Sequence, residues 1–225
     1  MTIDKFEIRY YNKIYYLKKE AHFMGKINII TIGREYASGG RDVGKAVAEG
    51  LRIPFYNKEI FDMAAENLGM SADDVRFADE TAASSLLYSM SLMSNISAST
   101  SLPLNDKIYI EEREIIKSLA QKGPCVIVGR CADSILKEIR DDILNVFIYA
   151  NQEMRAKRAV EQYGIDQDEV YSVLRKHDKK RSTYYNLNTG QKWGAKDNYH
   201  LCLNSDSLGI DMCSKLILKL VTESK

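Results

Sequence analysis

Residues 27–51 read INIITIGREYASGGRDVGKAVAEGL. An apolar run, INIITI, enters a turn rich in glycine and small residues. Beyond the turn, Val43, Val47 and Leu51 recur at i, i+4 and i+8, the spacing that lines one face of a helix. Strand, glycine-rich turn and helix together make the layout of a phosphate-binding loop. Glycines let successive backbone N–H groups turn inward, and the helix start adds its positive end.

The usual pattern of such a loop, GxxxxGK[ST], is matched poorly. Counted back from the helix, Gly39 takes the second glycine position, Gly40 the lysine position, and Arg41 that of the serine or threonine. Shifted by one, Gly40 is the second glycine, Arg41 replaces the lysine and Asp42 the hydroxyl residue. Both alignments remain open. In either, the loop from Gly33 to Gly40 is followed or flanked by Arg34 and Arg41 as cations, Ser38 as a hydroxyl and Asp42 as a carboxylate. Arginine grips phosphate through a planar fork, so it can replace lysine with a different geometry. The competing reading is a tight strand-to-helix turn carrying surface arginines.

The rest of the chain repeats the alternation. Residues 54–56 read as a short strand, 58–68 as a helix with Ile60, Phe61, Ala64 and Leu68 inward, and Ser71 with Asp73 and Asp74 as another helix start. A helix over 108–121 stops at Gly123-Pro124, and the wholly apolar strand 125–128 suits the centre of a parallel sheet. Strand 144–149, helix 152–163, a basic helix from 166 to about 185, strand 200–203 and helix 210–221 complete the order. Alternating strands and helices predict an α/β fold, a parallel sheet with helices on both faces. In such a sheet ligands bind beyond the carboxyl ends of the strands. Arg130 follows one strand there, Arg155 and Arg158 share a helical face after the next, and Arg175, Lys179 and Arg181 lie in the basic helix. Each cluster alone is more often a solvated face; their recurrence after successive strands favours a site for two phosphorylated ligands.

Bulk properties narrow the class. A net charge of +1 gives no overall field toward nucleic acid or membrane, so neither is expected as a partner. Four cysteines without a CxxC pair argue against zinc and for buried free thiols. No signal peptide and no apolar run of about 20 residues are found, and a cytoplasmic protein is expected. Two segments stay open. Residues 1–26 read as an N-terminal extension, either an arm or hairpin or a stretch before a true start at Met24; residues 81–106, rich in Ser and Met, read as a mobile lid or as a packed helix.

Taken in order, ITIGREYASGGRDVGKAVAEGL, IPFYNKEI, VIVGRCADSIL, EMRAKRAVEQ, RKHDKKRSTYYNLNTGQKWG and NYHLCLNSDSLGID resemble the nucleoside monophosphate kinases, specifically the cytidylate kinase-like family, across about residues 27–221. The resemblance implies a P-loop NTPase fold with a five-stranded parallel sheet, ATP as donor, Mg²⁺, and a nucleoside monophosphate or related small phosphorylated acceptor. It divides residues 27–225 into a core, a helical acceptor-binding insertion over 58–122 and a lid over about 166–197. It casts Ser38, Gly39, Gly40 and Arg41 as the donor-phosphate loop, beside Gly33, Arg34 and Asp42. Arg130 resembles an acceptor-binding arginine, Asp178 and Arg181 match the D-x-x-R of the lid, and Arg155 and Arg158 match the helix flanking it. Arg41, Arg130 and Arg181 are then the expected catalytic cations. The loop lacks the family's lysine, and Cys131 stands where cytidylate kinases have Asp. A non-catalytic nucleotide-binding module, or a P-loop kinase of another small molecule with an altered acceptor region at Tyr56, Asn57 and Lys58, are the alternatives. A homo-oligomer is left open.

Overall fold

The computed structural model describes residues 27–71, 73, 75 and 103–223. Its spine is β1 (Ile29–Arg34), followed by α1 (Gly40–Leu51), β2 (Phe55–Tyr56), α2 (Glu59–Leu68), α3 (Leu104–Lys122), β3 (Cys125–Val128) and α4 (Ala132–Lys137). Then come β4 (Ile143–Tyr149), α5 (Gln152–Tyr163), α6 (Val170–Thr189), a short 3-10 turn, β5 (Leu201–Asn204) and α7 (Ser205–Glu223). The five strands are parallel, in the order β2-β3-β1-β4-β5.

That order explains the apolar runs. β1 is the middle strand and is covered on both faces, so alternation disappears and Ile29, Ile30 and Ile32 are all fully buried. Ile30 and Ile32 pack with Val43 and Val47 of α1 and with Cys213 and Ile217 of α7. Ile29 faces the other way, toward Ile60 of α2, Ile116 of α3 and Leu136 of α4. Burial of each such side chain stabilises by about 1.5–3 kcal/mol. The polar Thr31 survives in this strand because its hydroxyl donates to Asn145 Oδ1 of β4 at 2.7 Å.

The structure amends the sequence reading in several places. The strand 125–128 lies inside the sheet but not at its centre, which β1 holds. α3 begins four residues earlier than expected, at Leu104 behind Pro103, so the last residues of the Ser- and Met-rich segment are helical. α4, a six-residue helix, went unread because it is too short for periodicity to register. The basic helix starts at Val170 and extends to Thr189, with a left-handed Gly190 as its stop. α7 begins at Ser205 but breaks at Gly209, so the expected helix from 210 is its second part. Three cysteines are buried free thiols, whereas Cys202 is exposed at the edge strand. Asp73 and Val75 are helical, and the Ser71 carbonyl accepts from the Val75 N–H at 3.2 Å. Residues 1–26 and 76–102 lie outside the described residues. No described helix is long and apolar enough to cross a membrane.

Candidate phosphate site at the carboxyl edge of the sheet

α1 and α7 cover one face of the sheet and α4 the other, so the chains leaving β1 and β3 part to opposite faces. The crevice between these adjacent strand ends is the topological switch point, where open α/β sheets bind ligands. A cavity of about 410 Å³ opens there. Gly33 and Arg34 from β1, Gly129 and Arg130 after β3, Lys58 before α2, and Lys180 and Arg181 from α6 supply its polar lining. Phe61, Tyr184, Trp193 and Tyr199 add aromatic walls.

Gly33 is required where β1 ends, since a Cβ there would lie 2.8 Å from Phe147 Cδ2. The loop then curls through two left-handed residues, Ala37 at φ 58° and Gly39 at φ 79°. Ser38 is fully buried. Its hydroxyl lies 2.9 Å from the Glu35 carbonyl and 3.0 Å from the Ile148 carbonyl, and its own carbonyl accepts from Ser205 Oγ at 2.6 Å. Ser38 therefore pins the loop to β4 and α7.

The outer side of the loop is braced by α5 and α6. Asp178 accepts from the Tyr36 N–H at 2.7 Å and from Arg155 Nη1 at 2.5 Å. Arg155 also reaches the Tyr36 carbonyl at 3.3 Å and places Nε 3.4 Å from Glu35 Oε2. Arg158 donates to the Ala37 carbonyl at 2.9 Å. The His177 ring stacks on Tyr36 with centroids 4.1 Å apart. Burial pushes the Glu35 carboxyl above its ordinary value, against the pull of the Ala150 N–H and Arg155.

Of the residues singled out by sequence, the fold brings Gly33, Arg34, Arg130 and Arg181 together at the cavity. Ser38, Gly39, Gly40, Arg155, Arg158 and Asp178 form and clamp the loop behind it and do not line it. Arg41 is exposed in the first turn of α1, and Asp42 lies partly buried beside it. Arg181 donates from Nη1 to the Arg34 carbonyl at 3.0 Å, and its guanidinium lies 5.5 Å from the centre of the Tyr36 ring. Burial drives both Arg34 and Arg181 below the usual arginine range. Arg34 is lowered further by Arg181 and Arg130, while Asp178 partly offsets the effect at Arg181.

Arg130 sits in a run of left-handed residues, Gly129 to Cys131. Its guanidinium carbon is 3.5 Å from the Phe61 ring centre and 4.9 Å from that of Tyr184. Nη1 lies 3.5 Å from Oε2 of Glu112, a fully buried carboxylate that also accepts from the Tyr184 hydroxyl at 2.6 Å. At the cavity floor Tyr185 donates to Asp133 at 2.7 Å, and burial raises the Asp133 carboxyl.

Sequence reading missed Phe61 as a cavity wall, Glu112, Asp133, Tyr184 and Tyr185. Glu112 left a signal: it lies on the buried stripe of α3 between Ile108 and Ile116, four residues from each. A carboxylate on an apolar stripe calls for a buried cation.

The sequence profile of the cytidylate kinase-like family matches residues 29–207. This chain belongs to that family. An uncharacterized protein of known structure from Eubacterium ventriosum is 28% identical, with a TM-score of 0.62 over 86% of this chain and 98% of its own. Shikimate kinases from Bacteroides thetaiotaomicron and Acinetobacter baumannii are each 15% identical with a TM-score of 0.48. They cover 86% and 92% of this chain respectively, and 98% of their own chains. No curated protein matches the chain. The five-stranded parallel sheet with helices on both faces is the α/β architecture expected from the sequence, carried here with glycine at positions 39 and 40 and arginine directly after them.

Proposed function

We propose that this cytidylate kinase-like protein transfers the terminal phosphoryl group of ATP to a small phosphorylated acceptor, a nucleoside monophosphate of the CMP or dCMP kind. The observation that carries this reading is the convergence of Arg34, Arg130, Lys180 and Arg181 on one cavity at the switch point. Phosphoryl transfer is catalysed mainly by alignment and charge neutralisation, which such a cluster supplies. The acceptor phosphate is already ionised, so no general base is needed.

The start of α1 fits the donor phosphates. The Val43 N–H is bonded to the Gly39 carbonyl at 2.9 Å, so the N–H groups of Gly40, Arg41 and Asp42 precede the first helical bond of that kind. The loop fits a triphosphate better than it fits magnesium, because Ser38 turns its hydroxyl to backbone carbonyls. A magnesium ion would arrive on the nucleotide, with Asp42 in the first turn of α1 as the candidate carboxylate to serve it. α2 and α3 carry Phe61 and Glu112 to Arg130, and the segment 58–122 to which they belong acts as the acceptor-binding part. Residues 166–197, built around α6, act as a lid whose Arg181 reaches the cavity and whose closure excludes water.

One observation favours a second reading, a nucleotide-binding module without chemistry: Gly40 stands at the lysine position in the ungapped alignment. A coupled assay for ADP release separates the two, with Mg-ATP and a panel of CMP, dCMP, UMP, AMP and unrelated acceptors. Acceptor-dependent ADP release supports the kinase. ATP binding without turnover on any acceptor supports the module.

A further inference from the structure

The missing lysine leaves a mark in the geometry. Gly40 is buried, and a Cβ built on it would lie 2.5 Å from Arg34 Cβ and 3.1 Å from Arg34 Cγ. Real Cβ atoms do not approach that closely, so the stem of Arg34 occupies the space into which a side chain at position 40 would rise. From there Arg34 extends across the switch point. Its Nη1 lies 2.1 Å from where a Cβ on Gly129 would sit, so Gly129 leaves room for the guanidinium at the head of β3. Arg34 thus crosses between the two strand ends that frame the cavity, with glycine at both points of contact.

Arg34 also differs from its neighbours in charge balance. Arg130 has Glu112, Arg155 has Glu35 and Asp178, and Arg181 feels Asp178. Arg34 has no carboxylate in an ion pair among the described residues, and the charges around it are Arg181 and Arg130. A partly buried guanidinium flanked by two others is unfavourable until an anion joins it. Arg41, the loop's other cation, is exposed on α1 and does not line the cavity.

We infer that Arg34, projecting from the end of β1 over Gly40, is the polyphosphate-binding cation that replaces the P-loop lysine, and that Arg34 and Gly40 form one exchanged pair. The inference deepens the proposed function and rests on the same cavity. It selects the ungapped alignment, with Gly40 at the lysine position, and moves the expected role from Arg41 to Arg34.

The test is calorimetric binding of inorganic tripolyphosphate and of ATP to the full chain, with thermal unfolding as a folding control. Arg34→Met is expected to weaken both ligands by about 10- to 100-fold, the loss of a charged hydrogen-bonding partner. Arg34→Lys is expected to recover part of the affinity, and Arg41→Met, which keeps the backbone N–H, to weaken binding less than Arg34→Met does. Gly40→Lys alone must collide with the Arg34 stem and is expected to lower the Tm. Arg34→Gly with Gly40→Lys removes the collision and is expected to restore binding relative to Arg34→Gly. Weakening by Arg41→Met with Arg34→Met unaffected overturns the inference, as does a folded double variant that binds no better than Arg34→Gly. Binding and turnover separate the two claims. Arg34-dependent binding without phosphorylation of any acceptor sinks the kinase and keeps the inference. Phosphoryl transfer undiminished in Arg34→Met does the reverse.

Discussion

Asp178→Ala removes the clamp that holds the loop to α6. Two contacts are lost: the Tyr36 N–H bond at 2.7 Å and the Arg155 ion pair at 2.5 Å. The pair is well shielded, with side-chain exposures of 18% for Asp178 and 11% for Arg155. Breaking a fully buried pair costs about 3–5 kcal/mol, and one charged hydrogen bond contributes about 1.5–3 kcal/mol. Arg155 keeps Glu35 at 3.4 Å, which softens the loss, so about 3 kcal/mol is expected. In a domain of this size that lowers the Tm by about 6–12 °C. Asp178→Asn keeps an acceptor for the Tyr36 N–H and should lose about half as much. The decisive assay is a double-mutant cycle with Arg155→Met, followed by urea and thermal unfolding. A coupling energy of about 1.5–3 kcal/mol is expected. Additivity within about 0.5 kcal/mol would refute the clamp, because residues sharing a shielded ion pair cannot act independently.

Other perturbations probe neighbouring parts. Arg130→Met leaves the fully buried Glu112 without this cation and is expected to cost about 3 kcal/mol in urea unfolding, most of it recovered when Glu112→Gln is added. Ser38→Ala removes a tether to buried carbonyls and should cost about 1 kcal/mol while leaving the metal-ion dependence of any activity unchanged. Asp142 tests pH dependence. Hydrogen bonds from Arg140 and Asn28 hold its carboxyl below the ordinary 3.8, so its folded value lies under its unfolded one. Its contribution is therefore fully present above pH 3.8 and is lost as pH falls through the lowered value. Asp142→Asn should be less stable than the parent at pH 7, with the gap narrowing as pH falls below 3.8; a gap that does not change with acidification argues against the pairing.

Much of the fold was legible because it is written in periodicity. INIITI reads as a strand, and β1 is the middle strand, buried on both faces. The expected helix 152–163 matches α5 at both ends, which the structure fixes with Asn151 accepting the Met154 N–H and Gly164 in a left-handed turn. Strand order is set by which apolar faces meet in space, which local pattern does not encode, so the strand 125–128 was assigned too central a place. α4 was too short to show a period, and the break at Gly209 looked like a helix start.

The site was half legible. Loops after successive strands of a parallel sheet share an edge, so the sequence already places Arg34 and Arg130 together. Which arginines face the cavity and which brace the loop depends on side-chain direction. Arg155 and Arg158 share a helical face as expected, but that face meets the loop carbonyls of Tyr36 and Ala37. In the sequence Arg34 is merely a loop cation, because only the crowding at Gly40 and Gly129 reveals where its side chain runs.

The most direct test of the account is ADP release from Mg-ATP by the intact chain, measured with and without a nucleoside monophosphate. The account predicts release that depends on a phosphorylated acceptor, CMP or dCMP foremost, and that falls with Arg34→Met and Arg181→Met. ATP bound at the loop with no acceptor-dependent release across the panel would contradict it.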